Sequence, residues 1–129
     1  MKKISESELI INPDGSIFHL HLLPGEIADT IILVGDPGRV DMVASFFDKG
    51  SIECDKSSRE LHTITGKYHG KRISVISTGM GTDNIDIVVT ELDALANIDL
   101  LARTPRSTHR KLTLLRIGTC GAIRPEIPL

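Results

Sequence analysis

The sequence predicts an α/β fold. Residues 30–34, TIILV, form a continuous β-branched and apolar run, as expected of a strand buried on both faces. Three strand-like runs stop at glycine-containing turns, VGDPGRV, STGMGTDN and RIGTCGAI, and helical spacing follows the first two. Strands that end in such turns and alternate with helices are the pattern of a layered α/β domain.

Composition narrows the function classes. The chain has 129 residues, 40% of them hydrophobic and 25% charged, which is ordinary globular usage. Fifteen Lys and Arg stand against 17 Asp and Glu, a net charge of −2. That balance lacks the basic excess a phosphate backbone needs, and one Tyr with three Phe makes few stacking platforms, so no nucleic-acid partner is expected. No apolar run approaches the ~20 residues of a membrane span, and the start MKKISESE lacks a signal-peptide core, so a cytoplasmic protein with no membrane partner is expected. Cys54 and Cys120 show no metal-ligand spacing and are expected to be reduced, with neither a zinc site nor a disulfide.

In chain order, residues 1–16 read as a polar leading arm ending in the turn NPDG, and residues 17–22, IFHLHL, as a short alternating strand. After the strand at 30–34, Asp36 suits a helix N-cap and Pro37 the first helical turn, with Val40, Met42, Val43, Phe46 and Phe47 near helical spacing. Residues 60–68 and 72–77 form a hairpin candidate around His69, Gly70 and Lys71. From Thr82, its expected cap, a helix places Ile85, Val88, Val89, Leu92, Leu95 and Ala96 on one face; Asp83, Asp86 and Glu91 fall in its first turns or on its exposed side. The basic stretch 103–111 reads as an exposed loop, followed by a buried strand at 112–117. No repeat or interdomain linker interrupts this order, so residues 1–129 are expected to belong to one domain.

Ligands of open α/β sheets bind beyond the carboxyl ends of the strands, where all three glycine-rich turns fall. At the first, Gly35 removes a side chain, the helix start offers N–H groups, and Arg39 adds a fork of donors, an arrangement suited to an anion and above all phosphate. Arg116 lies within a strand expected to be buried, where a charge needs a partner; Thr119 adds a hydroxyl, and Gly118 and Gly121 open the backbone beside it. For either turn a structural role remains open: a tight strand-to-helix turn, or an ion pair to a carboxylate. Neither GDPGR nor STGMG supplies the GxGxxG of a dinucleotide-binding turn.

VGDPGRV, the Arg59-Glu60 pair before a hairpin, STGMG and LLRIGTCGAI, in this order, resemble the amino-terminal half of the nucleoside phosphorylase and uridine phosphorylase family. The resemblance runs from about Phe18 to Pro125. It implies a three-layer α/β/α nucleoside-phosphorylase-like fold with a mixed central sheet, present here as its amino-terminal part. It also implies cleavage of a nucleoside, uridine being favoured, by inorganic phosphate to free base and ribose 1-phosphate. By that resemblance Gly35, Arg39, Arg59, Arg116 and Thr119 hold phosphate, Arg39 and Arg116 being catalytic, and Arg59 enters the site of an adjacent subunit. His19, beside Phe18, reaches a neighbour's ribose 5′-hydroxyl, while Cys120 and Gly121 lie beside the nucleoside. The partners it implies are nucleoside, phosphate and further copies of the chain, in an oligomer built from dimers with shared sites. No organic cofactor is implied. Glu60, Met80 and Asn84 fall where some uridine phosphorylases hold a monovalent cation, although a serine is usual at the position of Asn84. The ribose clamp and the base-selecting residues of the family belong to its other half. Two further readings share these residues: a nucleosidase that uses water in place of phosphate, and a non-catalytic anion- or nucleotide-binding module.

Overall fold

The computed structural model describes residues 3–128; Met1 and Lys2 of the leading arm, and Leu129, lie outside the described residues. Five strands form the main sheet: β1 (Thr30–Val34), β2 (Cys54–Ser58), β3 (Leu61–Tyr68), β4 (Lys71–Ser77) and β7 (Thr113–Arg116), in the order β2-β3-β4-β1-β7. Strand β1 pairs in parallel with both β4 and β7, while β2, β3 and β4 pair antiparallel, so the sheet is mixed as expected. Helix α1 (Pro37–Ala44) follows β1 and helix α2 (Thr82–Asn97) follows β4. A two-stranded ribbon joins β5 (Ile98–Asp99) to β6 (Thr104–Pro105).

Alternation along the strands builds two cores. Ile31, Leu33 and Ile76 face a cluster with Val88, Leu92 and Leu95 of α2 and with Ile17, Leu20 and Leu22 of the leading segment. Ile32, Val34 and Val75 face the opposite cluster, with Val40 and Ala44 of α1. The sheet is therefore sandwiched, and the three-layer expectation holds.

Several local expectations change. Residues 17–22 form no strand beyond the single bridge of Ile17 to Ile11. Their buried residues are Ile17, Leu20 and Leu22, a spacing of three then two, and the chain closes on itself through Ile17 N–H to the Leu22 carbonyl (3.0 Å), with His21 at φ 54°. Strand β2 was not expected, because its CDKSS sequence carries little β propensity; pairing with β3 creates it. The hairpin of β3 and β4 turns through His69 and Gly70, both at positive φ, as a two-residue turn of the twist-compatible kind requires. Met42 of α1 and Phe46, which lies beyond the helix end rather than in the expected helical spacing, are exposed.

The end of the chain departs most. All four residues of β7 are exposed, because β7 is the sheet edge with β1 as its only paired neighbour among the described residues. Arg116 therefore meets solvent and needs no buried partner. The basic stretch 103–111 is not simply solvated. Arg103 donates to the Leu9 carbonyl at 2.6 Å, and Arg110 bonds Asp29 at 2.6 Å and the carbonyls of Pro24 and Ile27. Glu91, expected on the outside of α2, is buried. Among the described residues no helix is long and apolar enough to cross a membrane.

The core assignment predicts that Leu92→Ala, removing a fully buried side chain, costs about 2–5 kcal/mol. Met42→Ala, at an exposed position, should stay within about 0.5 kcal/mol. Urea unfolding followed by circular dichroism measures both; comparable losses would contradict the packing.

Candidate functional site

Three strand ends meet on one side of the sheet because β1, β4 and β7 run parallel in a close register, Val34 opposite Ser77 and Leu33 opposite Arg116. Hydrogen bonding continues beyond the strands. Thr78 N–H donates to the Val34 carbonyl at 2.8 Å, Gly79 N–H to Gly35 at 2.9 Å, and Ile117 N–H to Leu33 at 2.9 Å. These bonds hold the turns 35–38, 78–81 and 117–119 beside one another, around a cleft of about 770 Å³.

The cleft gathers Gly35, Arg39, Arg116 and Thr119, and on its other wall Glu60, Met80 and Asn84. Arg39 projects from the first turn of α1, where Asp36 is the N-cap and accepts from Gly38 N–H at 2.9 Å. That carboxylate is spent on the helix start, as its expected capping role requires. Arg116 leaves the end of β7, and its guanidinium lies against both neighbouring turns: a Cβ built on Gly35 would stand 3.7 Å from Nη2, and one built on Gly118 the same distance from Cζ. Glu60 is also engaged, accepting from Asn84 Nδ2 at 3.0 Å. Among the described residues, neither Arg39 nor Arg116 forms an ion pair. The cleft thus offers two uncommitted cations and a hydroxyl, while both of its carboxylates already hold N–H donors.

Helix α2 begins differently from expectation. Its N-cap is Gly81 at φ 96°, with no side-chain cap, so Thr82 does not serve there. Gly79, at φ 69°, is required twice. Its backbone is left-handed, and an added Cβ would lie 2.6 Å from Glu60 Cγ and 2.7 Å from Asn84 Nδ2.

The remaining expected residues lie elsewhere. Arg59, at φ 53°, sits exposed in the turn between β2 and β3, outside the cleft of its own chain. Cys120 and Gly121 are exposed beyond Thr119 and do not line the cleft. Both cysteines are free; burial pushes the Cys54 thiol up, with the Glu26 charge adding to the effect. His19 occupies a separate hollow of about 200 Å³ with Phe18, Asp86 and Glu91. Glu91 Oε1 lies 2.6 Å from His19 Nδ1, and its carboxylate accepts from the backbone N–H groups of His19 and Leu20. Sequence reasoning missed Glu91, because a glutamate in an amphipathic helix ordinarily faces water. Its place between Val88 and Leu92, three and one residues away on the apolar face, was the available signal.

The geometry predicts that Gly79→Ala destabilises the chain more than Gly50→Ala. Gly50 has a similar φ of 73° but nothing within 4 Å of an added Cβ, so it carries the backbone strain alone, on the order of 1 kcal/mol. Equal shifts in urea midpoint would show that Glu60 and Asn84 do not wall the turn.

Comparison with known proteins places the chain. Residues 29–129 match the model of the phosphorylase superfamily. A DeoD-type purine nucleoside phosphorylase of Alkaliphilus metalliredigens is 42% identical over 111 residues, covering 86% of this chain and 42% of the relative. A Trypanosoma brucei nucleoside phosphorylase described as showing uridine phosphorylase activity superposes with a TM-score of 0.84 at 40% identity, over 93% of this chain and 41% of that one. One of two uridine phosphorylases described from the oomycete Phytophthora capsici gives 0.77 at 34% identity, over 98% and 39%. The chain therefore spans about two fifths of the length of these relatives. With its mixed sheet, its glycine-rich strand ends and this breadth of match, the chain belongs to the phosphorylase superfamily.

Proposed function

We propose that this chain supplies the phosphate-binding part of a nucleoside phosphorylase that cleaves the N-glycosidic bond of uridine with inorganic phosphate. The observation that carries the reading is the pair Arg39 and Arg116, brought to one cleft with Thr119 and, among the described residues, neither of them paired to a carboxylate. A tetrahedral dianion satisfies such a set: guanidinium forks pair with phosphate oxygens and the hydroxyl adds a further donor. Uridine is favoured by the likeness to the Trypanosoma brucei and Phytophthora capsici structures. A purine substrate is the second reading, favoured by the DeoD-type relatives.

In the reaction a phosphate oxygen attacks C1′ as the bond from C1′ to the base nitrogen breaks, and that electron pair leaves with the base. Arg39, Arg116 and Thr119 hold the nucleophile in line, so acceleration comes from positioning and preorganised charge, and phosphate attack requires no general base from this chain. Neither Arg59 nor His19 lines the cleft of its own chain, which fits a role in the site of a neighbouring copy, within an oligomer built from dimers. Glu60 and Asn84 offer oxygens of the kind a monovalent cation takes; Met80 would contribute its carbonyl, since a thioether suits softer metals. Such a cation would balance the Glu60 charge beside the cleft.

Calorimetric titration of the 129-residue chain with phosphate tests the reading. Binding is expected, weakened about tenfold or more by Arg116→Ala or Arg39→Ala, each of which removes charge-assisted bonds of about 1.5–3 kcal/mol. Incubated with phosphate and uridine, inosine or adenosine, the chain alone should release no free base, because groups that bind the remote parts of the substrate align the reacting atoms. Phosphate binding indifferent to both substitutions, or turnover matching an intact relative, would overturn it.

A further inference from the structure

We propose that Glu91 is a positioning residue for His19, fixing its ring so that Nδ1 carries the hydrogen and Nε2 is the nitrogen offered to a substrate hydroxyl. The hydroxyl's identity, that of a ribose in a neighbouring copy, rests on the function proposed above; the placement of the ring does not.

Glu91 lies in the third turn of α2 at 8% exposure, where an isolated carboxylate would be costly. Three donors from one turn converge on it. Oε1 stands 2.6 Å from His19 Nδ1, and the two oxygens take the backbone N–H of His19 at 3.0 and 3.1 Å and that of Leu20 at 2.9 Å. Two backbone bonds alone would pin the 18–20 turn to α2. The third goes to a ring that keeps 29% of its side-chain surface open, with Phe18 packed edge-on at 4.8 Å between centroids. A buried acceptor and a braced, part-exposed ring are the parts of a carboxylate-oriented histidine.

The requirement for a carboxylate follows from counting donors. An ionised carboxylate only accepts, so it can meet all three donors at once, and the ring must then be protonated at Nδ1. An amide has one accepting atom and an NH₂ group. If its oxygen stays with Leu20 N–H, its nitrogen faces Nδ1, which must give up its hydrogen and accept. Glu91→Gln is nearly isosteric and is expected to exchange the tautomer while keeping the turn. Helix α2 also carries Asn84, seven residues and so two turns before Glu91, on the same face, so one rigid element carries both the wall of the anion cleft and the bracket for His19.

Nitrogen-15 NMR of the histidine rings in the 129-residue chain, followed through a pH titration to the neutral form, tests the proposal. The native chain should show His19 protonated at Nδ1, and Glu91→Gln should make the Nε2-protonated form the majority. A purely structural carboxylate would alter the unfolding midpoint and leave the tautomer unmoved. An Nε2-protonated His19 in the native chain, readable whether or not the variant folds, or a tautomer indifferent to Glu91→Gln, would overturn the assignment. Phosphate affinity at Arg39 and Arg116 should be unchanged by Glu91→Gln. Absent phosphate binding in the native chain would count against the proposed function while leaving the Glu91 assignment standing.

Discussion

The parallel register of β1 with β4 and β7 is the constraint on which the cleft depends. Because Val34 lies opposite Ser77 and Leu33 opposite Arg116, three strands finish at nearly one level and their glycine-containing turns line up. A slip of one residue would exchange the faces of β1, moving Ile31 and Leu33 from the α2 core to the α1 side. Burial on both faces of β1 therefore fixes its register against β4, and the ladder of β7 on β1 sets where Arg116 emerges. The ladder bonds from Thr78, Gly79 and Ile117 extend that order into the turns.

The distribution of partners at the cleft then favours an anion. Among the described residues the two arginines reach it without an ion pair, whereas Asp36 is held by the start of α1 and Glu60 by Asn84. Assigning the carboxylates to protein donors leaves the guanidinium groups for a ligand. Gly79 maintains this division on one side, since any side chain there would press on Glu60 and Asn84 together.

Much of this was legible in the sequence, for identifiable reasons. Strand β1 is a continuous apolar run, Asp36-Pro37 is a cap followed by a first-turn proline, and α2 has a wide apolar face, so local pattern and tertiary packing agree there. The cleft residues Gly35, Arg39, Arg116 and Thr119 were readable because their glycine-rich turns fall at the carboxyl ends of strands, where open α/β sheets bind ligands. Residues 17–22 misled because turns and strands both place apolar side chains at short spacing. Strand β2 was hidden because an edge strand can be polar, and the exposure of β7 because an apolar run does not say which neighbours it has. For Glu91 the apolar face of α2 could signal burial, but its partners, 71 and 72 residues away, needed the fold.

The central claim is that the two arginines form an anion site. A crystal structure of the chain grown in millimolar phosphate tests it most directly. The account predicts a phosphate bridging the guanidinium groups of Arg39 and Arg116, with the Thr119 hydroxyl on one of its oxygens. A cleft free of anion in crystals that bind phosphate elsewhere, or the two arginines found paired with Asp36 and Glu60, would contradict it.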